Sequence, residues 1–172
     1  MAVSTDILRT WAGPRGVYAR LFAGGKREDR ALAFLMAGLF VVFVSRLPVI
    51  QRTAIMGEPS VIVPEAAAEF TRDAAYTFFG LMMLAPLLFY ILAEVVRLAA
   101  SGLGLRVSSW AGRVAAFWAW LAASPMALLY GLAAGFNGTS EPATQVVGAI
   151  WLAAFVWFWV QGLRAGAGAK AG

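Results

Sequence analysis

Few side chains here can do chemistry, and their spacing limits what that chemistry could be. Nine Asp and Glu and fourteen Lys and Arg residues are spread over 172 positions, with no Cys and no His. Without thiols or imidazoles there is no disulfide, no thiolate nucleophile, no Cys/His zinc site and no His- or Cys-ligated haem. The usual general base near neutral pH is also missing. Carboxylates would have to carry any catalysis. Glu65, Glu69 and Asp73 recur every four residues on one helical face, where they repel unless a cation sits among them. A solvated acidic face is the simpler expectation. The carboxylates form no pair on facing segments, and no phosphate loop or metal motif is present. The chain is read as a non-enzyme, with no catalytic, cofactor-binding or metal-ligating residue.

Three charges lie inside or beside long apolar runs: Arg46, Glu94 and Arg97. An ionisable group at membrane depth marks an ion or substrate path by default. Glu94 follows the twenty residues Ala74–Ala93, about 30 Å of helix, so it falls at an interface where Arg97, three residues on, can pair with it. Between Arg30 and Arg46 lie only fifteen residues, about 22 Å of helix against a roughly 30 Å hydrocarbon layer. Arg46 must therefore snorkel or meet a protein partner. It is the charge most in need of one.

The elements that position these groups read as membrane helices. Residues are 61% hydrophobic and 13% charged, against roughly 25% charged in a soluble domain. Spans are expected at about 31–50, 74–97, 111–135 and 143–163, giving an all-α polytopic bundle of four transmembrane helices. Pro48 is expected to close the first span, and residues 51–63 to form a loop, with Gly57, Pro59 and Ser60 as turn residues. The second and third spans carry mid-membrane prolines, Pro86 and Pro125. Ala85–Tyr90 and Ser124–Tyr130 echo each other as small residue, Pro, apolar run and Tyr, so Tyr90 and Tyr130 are candidate packing positions beside the prolines. In the third span Ala111, Ala115, Ala119, Ala123, Ala127, Gly131 and Gly135 form a ridge every four residues. Such a ridge lets backbones approach closely in lipid, so this helix is expected at the centre. Trp157 and Trp159 suit an interfacial belt.

Residues 1–30 form a separate N-terminal segment. Asp6 could cap a short helix bearing Ile7, Leu8 and Trp11. After Gly13-Pro14, a second helix would gather Val17, Tyr18, Leu21 and Phe22 on one face. With Arg15 and Arg20 elsewhere, this amphipathic piece is expected to dock at a membrane interface. Residues 164–172 read as a flexible tail. Eleven of the fourteen Lys and Arg residues fall on one side of this topology, which predicts both termini in the cytoplasm. The net charge of +5 does not imply nucleic acid, because the basic residues flank apolar runs instead of forming a stripe with stacking aromatics.

Several segments also resemble a known family. Gly13-Pro14-Arg15-x-Val17-Tyr18-x-Arg20-Leu21 and Ala23 to Leu32 resemble the start of small bacterial membrane proteins of the Yip1-domain family. The likeness extends through Ala85–Tyr90, Phe117–Leu121 and Trp157-Phe158-Trp159-x-x-Gly162-Leu163-Arg164. The Arg- and Ala-rich usage looks alphaproteobacterial. The resemblance implies a multi-pass inner-membrane protein with a cytoplasmic N-terminus and no established catalysis, and family members commonly have five spans. No functional residue is carried over from it.

Two functional classes follow. In the first, the chain binds membrane lipids and other integral membrane proteins, or itself, as a scaffold, assembly factor or accessory subunit. The alternative is a small transporter or channel, with Arg46, Glu94, Ser124, Gln145 and Gln161 as path residues beside Pro86 and Pro125.

Overall fold

A computed structural model describes residues 3–56 and 63–168, which are helical throughout apart from short connections and contain no strand. The helices are α1 (Val3–Ala12), α2 (Pro14–Ala23), α3 (Glu28–Met56), α4 (Val63–Phe79), α5 (Ala85–Gly102), α6 (Ser109–Asn137) and α7 (Pro142–Gly168), with a π turn at Gly80–Leu84 joining α4 to α5 without a break. Four stretches are long and apolar enough to cross a membrane: Glu28–Met56, Ala67–Gly102, Ser109–Asn137 and Pro142–Gly168. The chain is a multi-pass membrane protein with an all-α bundle.

Local chemistry sets the helix ends. Ser108 sits in extended backbone and its hydroxyl accepts from the Ala111 N–H at 3.3 Å, capping α6. At the end of α5, Leu105 N–H bonds Ala100 O at 3.0 Å and Gly104 N–H bonds Ser101 O at 3.1 Å. Gly104 has φ 87°, the left-handed conformation this C-terminal motif requires and glycine supplies.

α3 and α6 run parallel and in close register. Arg113 is ion-paired with Glu28 where both helices begin. Further along, Gly38 meets Leu121, Gly131 meets the Ser45 backbone and Gly135 meets Pro48. α7 runs antiparallel to α6, so that Gly162 lies on Ala115 and Gly166 on Ala111. We call the end where α3 and α6 begin proximal, and the opposite end distal. α6 is central, with fifteen buried residues against nine on α3 and eight on α7.

The small-residue ridge explains how one helix serves two partners. A step of four residues overshoots a turn by about 40°, so the ridge winds around α6. Its proximal members Ala111 and Ala115 face α7, and its distal members Gly131 and Gly135 face α3. Ala123 and Ala127 are fully buried between them.

Several expectations are corrected. Pro48 lies inside α3, which continues to Met56. A proline removes one N–H and crowds one preceding carbonyl, and here the missing side chain of Gly135 gives its ring room: a Cβ there would lie 2.5 Å from Pro48 Cβ. The expected loop thus shrinks, and its turn residues Gly57, Pro59 and Ser60 lie outside the described residues. Asp6 is no cap. It lies within α1, buried, and accepts from Arg20 at 2.9 Å. Trp159 is core, packed against Phe155 with centroids 5.3 Å apart, while Trp157 is 55% exposed. The start of the expected tail, 164–168, is helical.

Pro125 frees the Leu121 carbonyl, which would otherwise accept its N–H. The Ser124 hydroxyl takes that place, donating to Leu121 O at 2.8 Å. Ser124→Ala is therefore expected to leave a buried acceptor unpaired and to cost about 1–2 kcal/mol, read as a lower melting temperature by intrinsic tryptophan fluorescence.

Candidate functional sites along the bundle

The N-terminal segment is fastened into the bundle by polar groups. The face carrying Val17, Tyr18 and Leu21 is buried, and it is covered by α6 and α7: Tyr18 hydroxyl donates to Ala115 O at 3.2 Å, and its ring lies against Gly162. Burial pushes that hydroxyl well above its ordinary pKa, so it remains a protonated donor. Trp118 donates to Thr10 Oγ1 at 3.0 Å, and Thr10 donates to Asp6 O at 2.8 Å. Trp11 donates to Ala122 O at 2.9 Å and meets Phe158 edge to face. Ala122 lies three residues before Pro125, where a proline loosens the backbone ladder. Arg15 donates to Gln161 at 3.3 Å. The expected face of α2 is thus the correct one, but it meets protein, and α1–α2 forms a hairpin leaning on α6 and α7.

At the proximal end Glu94 accepts from Arg97 at 2.5 and 2.9 Å, and from Ser109 at 2.7 Å. This is the pairing that the i,i+3 spacing predicts, with the start of α6 added as a third member, but α5 continues to Gly102, so the pair lies inside the helix and not at its expected end. Gly112 makes room for the Arg97 stem, because a Cβ there would lie 3.3 Å from it. Tyr90 packs edge to face on Phe117, and the Arg113 guanidinium lies 5.9 Å from the Tyr90 ring centre. Tyr130 differs: it stacks on Trp151 over Gly148. Pro86 follows the π turn, and Pro125 sits in an α-helix relieved by Ser124. The two halves of the sequence echo have different local structures.

Arg46 occupies the distal part of the bundle. It is half-buried, and among the described residues it makes no hydrogen bond or ion pair. It lines an open cleft of about 450 Å³ between α3, α6 and α7, together with Tyr130, Thr139, Gln145, Trp120, Trp151 and Phe155. Trp120 and Trp151 each carry a buried indole N–H with no acceptor among the described residues. Arg52, by contrast, closes α6 by donating to Phe136 O at 2.6 Å and Gly135 O at 3.3 Å. Among the described residues no group of three or more acidic side chains could hold a metal.

Spacing alone found Arg46, the Glu94–Arg97 pair and the α6 ridge. It missed the cleft walls and the N-terminal contacts. One usable signal was Gly162-Leu163-Arg164-Ala165-Gly166, a G-x-x-x-G pattern that an earlier end to the fourth span divides. The chain matches no family model, no curated protein and no solved structure.

Proposed function

We propose that this membrane protein is a non-catalytic accessory or scaffold subunit, which binds a helix of another integral membrane protein through α4–α5. The observation that carries this reading is how bare that span is. Only 6% of its most apolar 18-residue stretch is buried, against 33–44% in the other three. Tyr76, Phe79, Met83, Leu87, Ile91, Val95 and Leu98 are all more than half exposed, and their spacing of three and four residues places them along one stripe. A π turn interrupts the helix beside this stripe, a local irregularity frequent at functional sites.

The other polar residues of the spans support binding over transport. Ser124, Gln161, Gln145 and Glu94 each have a partner within the chain: Gln161 and Glu94 tie neighbouring helices together, while Ser124 and Gln145 bond backbone carbonyls of their own helix or of the turn before it. We place the protein in a bacterial, alphaproteobacterial, cytoplasmic membrane with both termini inside, because most of its basic residues lie at the proximal end and tails. The resemblance to the Yip1-domain family accords with this assignment. Purification in a mild detergent followed by mass spectrometry is expected to recover a second membrane protein. Leu87→Ala/Ile91→Ala should release it while leaving the melting temperature unchanged. Recovery of unpartnered monomer contradicts the proposal.

A further inference from the structure

We propose that the cleft beside Arg46 is a binding site for one anionic phospholipid, the phosphate on the guanidinium and an acyl chain along the aromatic floor. The depth fits. From Arg113, ion-paired at the proximal end, to Gly131, which abuts Ser45 next to Arg46, is eighteen residues of α6, about 27 Å. That is close to the roughly 30 Å of a hydrocarbon layer, so Arg46 lies at the distal acyl–headgroup boundary.

The cleft is graded along the same axis. Tyr130 on α6 and Gln145 on α7 form its rim with Arg46, and Trp120 and Phe155 form its floor. Each floor residue lies ten positions deeper on its helix than the rim residue, about 15 Å toward the midplane. A polar, cationic mouth over an apolar trough is complementary to an amphiphile that enters from the membrane.

Charge selects among lipids. Among the described residues the cleft lining includes one arginine and no carboxylate, and Arg46 has no anionic partner. A guanidinium binds a phosphate through paired donors. The ammonium of a zwitterionic headgroup would find no acidic side chain on the lining, so a lipid with net negative charge fits best.

The test uses the full chain in phosphatidylcholine vesicles containing increasing fractions of phosphatidylglycerol with brominated acyl chains, which quench tryptophan on contact. Saturable quenching is expected, reversed by unbrominated phosphatidylglycerol, weakened in Trp120→Phe and lost in Trp120→Phe/Trp151→Phe, which removes both cleft indoles. Arg46→Gln should raise the half-saturating fraction at least fivefold, and Arg46→Lys, which keeps the charge but not the paired donors, should fall between the parent and Arg46→Gln. The proposal is overturned if brominated phosphatidylcholine saturates at the same fraction, if unbrominated phosphatidylglycerol fails to compete, or if Arg46→Gln, with its melting temperature intact, binds as the parent does.

Discussion

Alanine at Gly131 is expected to lower the melting temperature more than at any other glycine among the described residues. A Cβ at this position would overlap the Ser45 carbonyl oxygen and lie 2.6 Å from its carbon and 2.9 Å from Ser45 Cα. These are backbone atoms, and no rotamer change can move them aside. The two helices must separate, and the contacts of Gly135 with Pro48 and of Gly38 with Trp120 and Leu121 loosen with them. Overpacking of this kind costs about 1–3 kcal/mol and more where backbone is forced to move, so about 3 kcal/mol is expected here, roughly 6–12 °C for a chain of this size. Gly16→Ala is the control. It lies in α2 with nothing within 4 Å of the added carbon, and in a helix that change stabilises by about 0.5–1 kcal/mol. Fluorescence-detected melting in detergent compares the two. Equal midpoints would mean that α3 and α6 do not approach at Gly131.

The second large effect belongs to Trp118. It is 1% exposed, meets Phe34 edge to face at 4.8 Å and holds α1 through Thr10. Trp118→Ala removes the ring and leaves a cavity, a change that costs about 3–5 kcal/mol. Its hydrogen bond can be separated from its bulk. In Trp118→Phe the Thr10 hydroxyl keeps its bond to Asp6 O, so about 1 kcal/mol is lost. Thr10→Val instead strands the buried indole N–H and should cost about 1–3 kcal/mol. Because α1 is released in each case, trypsin should cut faster at Arg9 and Arg15 in the order Phe, Val, Ala. Unchanged cleavage in Trp118→Ala would show that α1 is held by other means.

What was legible in the sequence follows from what lipid requires. The spans, the period-four ridge of α6 and the Glu94–Arg97 pair are local patterns with a fixed spacing, and each stands where that spacing puts it. Pro48 was misleading because its tolerance depends on Gly135, 87 positions away. Asp6 resembled a helix cap because its partner Arg20 lies on the next helix. The face of α2 could be drawn, but apolar periodicity does not distinguish a lipid interface from Ala115 and Gly162 as the surface beneath it. The Arg46 cleft was legible only as an unsatisfied charge. Its aromatic walls come from α6 and α7, and their meeting is set by Gly148 beneath Tyr130.

The docking role of α4–α5 is tested most directly by crosslinking in native membranes. The chain has no Cys, so single-Cys variants carrying a photoreactive label report on one position at a time. Leu87 on α5 and Val156 on α7 are 64% and 48% exposed and serve as the pair. The account predicts a discrete protein adduct at Leu87 and none at Val156. Lipid adducts alone at both positions would contradict it.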